Sequence, residues 1–188
     1  MIVAEKNQPN TDELVMRAQK GDAQAFAMLY AELVKPIYRY IYYRVDPAVA
    51  EDLTEETFLK TWENLKQYKK GKSPFSSWVF RIAHNLVCDY YRKHHIQTAE
   101  MDENMPDPST RHNPAFQVNV QFNEIRLKKA ILKLPENYQQ VIILKYINEL
   151  PNSEISAALG KPEGTVRTIQ FRALRQLRSL LQEKPENL

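Results

Sequence analysis

The chain has 188 residues, 43% hydrophobic and 26% charged, with four glycines. That composition fits a soluble, helix-rich globular protein and excludes fibrous, disordered and all-β classes, and the length suits two small helical domains better than one large core. A net charge of +3 is too small by itself to indicate nucleic acid, and the single cysteine, Cys88, leaves no internal disulfide.

Residues 1–10 read as an N-terminal tail. They hold no apolar run followed by a small-residue cleavage site, and nowhere do about eighteen apolar residues run together. The expectation is a cytoplasmic protein with no stable membrane insertion. From Thr11 the text reads as helices. Thr11 or Asp12 can cap the first, which ends at Gly21. Asp22 caps a second, carrying Phe26, Leu29, Tyr30 and Leu33 at helical spacing, with the aromatic stretch Ile37 to Tyr43 continuing after Pro36.

A third helix begins near Pro47 with a stripe of Val49, Leu53, Phe58, Trp62 and Leu65, and leaves Glu51, Asp52, Glu55 and Glu56 largely on other faces. Lys66 to Ser77 reads as a basic loop. The fourth helix, from Ser77 to about Lys93, turns Val79, Ile82, Ala83, Leu86 and Tyr90 inward. Trp78, Arg81, Asn85, Asp89 and Arg92 line a neighbouring face.

Residues 96–120 contain Pro106, Pro108 and Pro114 with little apolar periodicity and read as a flexible linker. Helical periodicity resumes at Gln121, breaks at Pro135, and runs again from Glu136 to Ile147. After a second break at Asn148 to Asn152 comes a short helix with Ile155, Ala158 and Leu159 inward. A turn at Gly160 and Lys161 leads to a longer helix from near Pro162, with Val166, Ile169, Ala173 and Leu177 inward.

This is helix-turn-helix spacing. Gly164, Thr165, Arg167, Thr168, Phe171 and Arg172 face outward near the start of the second helix. Arginines donate to guanine edges or phosphates, a phenyl ring packs on a thymine methyl, and the free N–H groups of a helix start hold a phosphate. In the first half, Tyr68, Lys72, Trp78, Arg81 and Asn85 offer stacking rings, cations and an amide close together, the types that hold an opened nucleic-acid strand. An enzyme is not expected: Cys88 lacks a basic partner of evident geometry, His94 and His95 point in different directions on a helix, and no Cys/His spacing resembles a metal site. No cofactor is expected either.

Four strings in order carry a resemblance. DELVMRAQKGDAQAFAMLY, AEDLTEETFLKTWENLKQY and FSSWVFRIAHNLVCDYYRK resemble region 2 of the extracytoplasmic-function (group IV) sigma factors of bacterial RNA polymerase, and LPENYQQVIILKYINEL with the GTVRT turn-helix resembles region 4. The resemblance implies an all-α fold: region 2 over 11–95, the linker, region 4 over 121–183 and a tail at 184–188. It implies that Asp52, Glu55 and Glu56 dock on the β′ clamp helices of core RNA polymerase, with the β flap as a further contact. By the same resemblance, Tyr68, Lys72, Trp78, Arg81 and Asn85 meet the promoter −10 element, and the outward residues from Gly164 to Arg172 read the −35 element. An anti-sigma factor is a common partner in the family. Glu55 stands where the family usually has Gln, and Pro151 where it often has a capping serine, which leaves capping to Asn152 or Ser153. The competing expectation is an autonomous helix-turn-helix regulator, which accounts for the second half alone.

Overall fold

The computed structural model describes residues 10–98 and 122–182. Among them the regular structure is helical: α1 (Thr11–Gln19), α2 (Ala23–Tyr42), α3 (Pro47–Asn64), α4 (Phe75–Thr98), α5 (Phe122–Leu132), α6 (Glu136–Ile142), α7 (Asn152–Leu159) and α8 (Glu163–Gln182). The expected linker lies outside the described residues except for 96–98, which extend α4, and both expected tails lie outside apart from Asn10.

Local chemistry explains most of the boundaries. Asn10, rather than Thr11 or Asp12, caps α1, its side-chain oxygen accepting from the Asp12 amide at 3.3 Å. Gly21 at φ 94° makes the reversal that an L side chain resists. Asp22 then accepts from the Gln24 and Ala25 amides, both at 3.0 Å, to start α2. Those bonds, the Ala25 amide foremost, and the Arg17 side chain hold its carboxyl below the usual range.

Helix α2 runs unbroken through Pro36. The ring removes one helical hydrogen bond, yet Leu29, Leu33, Ile37, Tyr40 and Ile41 are all buried along one face, and that burial outweighs the local penalty. Of the expected α3 stripe, Leu53, Phe58 and Leu65 are buried while Trp62 is 41% exposed, and Ala50, Thr54, Thr57 and Thr61 join the inward face. Threonine fits there because each hydroxyl donates one turn back: Thr54 to Ala50 O, Thr57 to Leu53 O and Thr61 to Thr57 O, at 2.6, 2.7 and 2.7 Å.

In the second half α6 runs into a π turn over Ile143–Ile147, and Glu149 at φ 58° turns the chain towards α7. Pro151 occupies the capping position of α7, and neither Asn152 nor Ser153 takes over: no side chain caps this helix, and Asn152 Oδ1 is buried without a hydrogen-bond partner. Gly160, left-handed at φ 64°, ends α7, and the Pro162 carbonyl accepts the Val166 amide at 3.0 Å to open α8. Val166, Ile169, Ala173 and Leu177 are buried as their spacing predicts.

The helices form two groups. In the first, α2 packs against α1, α3 and α4. In the second, α8 packs against α5, α6 and α7, and the groups meet where α7 lies on α4.

Candidate nucleic-acid interface

Three surfaces carry the residues singled out from the sequence. On α8, Gly164, Thr165, Arg167, Thr168, Phe171 and Arg172 are all exposed, on the side opposite the buried stripe. Phe171 is 73% exposed. Covering such a ring fully stabilises by about 1.5–3 kcal/mol, so it is a strong anchor for whatever lies on this face. A Cβ at Gly164 would meet nothing within 4 Å, so the chain's own packing does not require glycine there. Thr168 donates to Gly164 O at 3.0 Å. Arg167 pairs with Glu163 at 3.3 Å across one exposed turn, a contact worth about 0.3–0.5 kcal/mol. A phosphate or guanine edge competes easily with that.

The second surface is a groove between α3 and α4, lined by Lys60, Asn64, Gln67, Trp78, Asn85 and Asp89 among others. Trp78 and Asn85 therefore sit together as expected. Asn64 and Gln67 were missed in the sequence, although their amides, bonded to each other at 3.0 Å, add base-edge chemistry to the same wall. Their signal was weak, since the chain tightens into a 3₁₀ turn at Leu65–Gln67, which a plain α-helical projection does not follow.

Tyr68 is placed differently from its neighbours. It is only 7% exposed, donates to Ser73 O at 2.8 Å, and its ring lies 5.3 Å from Phe75 and 5.4 Å from Trp78. It braces the basic turn and backs Trp78, the ring that reaches the groove. Lys72 is exposed on that turn. Arg81 is exposed, but its guanidinium donates to the Ala157 carbonyl of α7.

The third surface is the outer face of α3. Asp52, Glu55 and Glu56 are exposed there, and so are Leu59 at 57% and Trp62. Trp62 is steadied by Phe26, edge-on at 4.8 Å. This face of α3 thus presents three acids beside two exposed apolar side chains.

Cys88 and His84 lie away from these surfaces. Burial and the hydrogen bond to Glu136 push the Cys88 thiol up, opposite to what a nucleophile needs. Burial first, then the Arg44 charge, lowers His84 to about 4, so its imidazole is neutral at neutral pH.

Comparison with known proteins bears on the family and the fold. Residues 29–95 match the family model for sigma-70 region 2, and residues 124–177 match that for sigma-70 region 4. The chain is 36% identical over 171 residues to the ECF RNA polymerase sigma factor BldN of Streptomyces coelicolor, covering 90% of this chain and 65% of that protein, so it spans slightly less than two thirds of that relative. It is 33% identical to ShbA of Streptomyces griseus, covering 90% of this chain and 94% of that one, and 30% identical to SigW of Bacillus subtilis, covering 90% and 95%; both are ECF RNA polymerase sigma factors. In fold it is similar to CnrH, solved in complex with the cytosolic domain of CnrY, with a TM-score of 0.71 at 24% identity over 92% of this chain and 97% of that one. It is likewise similar to RpoE of Bartonella quintana, solved with the anti-sigma factor NepR, with a TM-score of 0.70 at 22% identity over 86% and 99%.

Proposed function

The chain belongs to the extracytoplasmic-function RNA polymerase sigma factors of the sigma-70 family, and from that premise we propose how its residues divide the work. The α3–α4 groove holds the opened non-template strand of the −10 element, with Trp78 stacking, Asn85 reading a base edge, and Lys72 and Arg81 on phosphates, while Tyr68 supports the turn. The α8 face reads the −35 element as duplex through Arg167, Thr168, Phe171 and Arg172, with Gly164 and Thr165 allowing the backbone close to the groove. Asp52, Glu55 and Glu56 dock α3 on the β′ clamp helices of core polymerase, with Leu59 and Trp62 as the apolar centre, and region 4 meets the β flap.

The protein acts in the bacterial cytoplasm as a dissociable, non-catalytic subunit, without cofactor or metal, and an anti-sigma factor is its expected antagonist. Among the described residues no helix is long and apolar enough to cross a membrane, and no cluster of three metal-ligating side chains occurs.

One observation supports this reading: a single chain presents a groove lined by Trp78, Asn85, Asn64 and Gln67 and, separately, an exposed α8 face carrying Arg167, Phe171 and Arg172. An autonomous regulator has no use for the groove. The test is run-off transcription with purified core polymerase across a promoter library, with the start sites sequenced. The expected result is initiation at a defined pair of elements, with Asn85→Ala losing permanganate reactivity at −10 while keeping its −35 preference. Folded protein that supports no initiation on any promoter, or an Asn85→Ala variant with full −10 opening, overturns it.

A further inference from the structure

Helix α1 ends beside the turn that follows α3, and its last residue holds that turn from outside. Gln19 Nε2 donates to Leu65 O and to Tyr68 O, both at 2.9 Å. These acceptors lie 46 and 49 residues further along the chain. A primary amide carries two N–H donors in one plane, so a single side chain answers both carbonyls.

The two carbonyls bracket the 3₁₀ turn over Leu65–Gln67, the first at its start and the second just past its end. A turn this short has poor hydrogen-bond geometry of its own, and the carbonyls at a helix end have no partner within the helix. The Leu65 carbonyl also accepts the Tyr68 amide, at 3.2 Å, and Tyr68 then leaves the helix in extended conformation at φ −64°, ψ 127°. Gln19 therefore fixes both the turn and the direction in which the basic segment departs. An ion pair between Asp12 and Lys70, at 2.9 Å, ties α1 to the same segment, but water reaches both partners and the pair adds little.

The turn carries one wall of the groove. Gln67, its last residue, donates through Nε2 to Asn64 Oδ1 at 3.0 Å, and Asn64 Nδ2 donates to Lys60 O at 2.9 Å. Lys60, Asn64 and Gln67 line the groove together with Trp78 and Asn85, and Gln19 is not among the lining residues. Past the turn, Tyr68 backs Trp78, the ring centroids 5.4 Å apart, and donates to Ser73 O. One side chain of α1 is thus bonded to the backbone at the two points from which the amide wall and the support of Trp78 both start.

We propose that Gln19 is a positioning residue for the −10 groove: by clamping Leu65 O and Tyr68 O it sets the Asn64 and Gln67 amides against Trp78, and without the clamp the groove discriminates its strand poorly. The clamp rests only on the bonds above; its effect on the −10 element rests on the role proposed for the groove. Helix α8 makes none of these contacts, so −35 preference does not depend on Gln19.

The experiment uses the full chain, alone and reconstituted with purified core polymerase, as wild type, Gln19→Met and Gln19→Lys. Methionine keeps the length of the side chain without a donor, and lysine restores donors at that point. Hydrogen exchange of the free chain, resolved by mass spectrometry, is expected to quicken across residues 65–73 in Gln19→Met and to return towards wild type in Gln19→Lys. In the reconstituted complex, affinity for an unpaired −10 strand relative to a scrambled one should fall about 5-fold or more in Gln19→Met, the size expected for two lost neutral hydrogen bonds. The ratio also cancels the charge that lysine adds, which acts on phosphates of any sequence. All binding is measured well below the melting temperature of each variant, where a modest loss of stability leaves the folded fraction unchanged. Unchanged exchange over 65–73 in Gln19→Met overturns the clamp. Equal losses on cognate, scrambled and −35 DNA, or a Gln19→Lys variant no better than Gln19→Met, overturn the positioning role. Faster exchange with full −10 discrimination keeps the clamp and overturns its link to the −10 element. Asn85→Ala, run alongside, tests the groove itself: if it too keeps full −10 discrimination, the role proposed for the groove fails while the clamp, judged by exchange, stands.

Discussion

Arg172 and Phe171 sit side by side on α8, and neither is engaged by another side chain among the described residues. Both are exposed, and among the described residues no ion pair engages Arg172, whereas Arg167 one turn earlier is paired with Glu163. An arginine without an internal partner, beside a ring that water would rather see covered, is the best placed of the outward residues for a bidentate contact to a base. Replacing Arg172 by Ala is expected to cost about 1–3 kcal/mol on the cognate −35 sequence and to relax preference at one base position. Competition binding against single-base variants of the −35 duplex reads this directly. A loss equal on every sequence would mark Arg172 as a phosphate contact instead.

The outward set on α8 was legible from the sequence because the four inward residues, at helical spacing, leave only one face for the rest. Tyr68 was not legible in the same way. A tyrosine in a basic loop has the chemistry of a stacking residue, and only the packing of Phe75 and Trp78 around it, with its hydroxyl on Ser73 O, shows that the ring is spent on the turn.

At the scale of elements, the boundary between α7 and α8 depends on one backbone conformation. Gly160 is left-handed, and a Cβ there would meet nothing within 4 Å, so Gly160→Ala tests conformation without a packing clash. The expected cost is about 1–2 kcal/mol, which lowers the melting temperature of a domain this small by roughly 4–8 °C per kcal/mol. Thermal denaturation followed by circular dichroism measures it. An unchanged melting temperature would mean that the turn relaxes and that α8 is not held at a fixed angle to α7.

The punctuation residues Gly21, Asp22, Pro47 and Gly160 were readable because each acts on its own backbone. Helix α2 running through Pro36, the threonine face of α3 and the π turn after α6 were not. Each is decided by burial or by bonds one turn away, which outweigh local preference. Asn152 makes the same point from the other side. Its letter suits a cap, yet Pro151 holds the capping position and the Asn152 side-chain oxygen Oδ1 is left without a partner.

For the whole molecule, the meeting of the two helix groups is where proton binding couples to stability. His84 lies 3.3 Å from Tyr40 Oη and 3.7 Å from Cys88 Sγ. The charges acting on it are Arg44 from the end of α2, Arg81 from its own helix and Lys161 from the turn between α7 and α8, with Glu136 opposing them from α6. Burial leads these effects and takes His84 from 6.5 to about 4. Between those two values an exposed His84 carries a proton that the packed one does not, so the packed state loses stability as pH falls through that window and recovers it as pH rises. Glu136 acts in the same sense. Although its partial burial works the other way, the Cys88 and Arg44 contacts hold its pKa below the ordinary 4.5, so its contribution is present above that value and fades on further acidification. The wild-type chain should therefore soften between about pH 6.5 and pH 4, seen as a falling melting temperature. Other carboxylates titrate at the lower end, so the informative comparison is with His84→Gln, which keeps a side chain able to bond Tyr40 but takes up no proton. Its profile should be flatter than wild type over the upper part of the window, where carboxylates are still ionised. Superimposable profiles would place the acid sensitivity elsewhere and leave His84 a bystander where the groups meet.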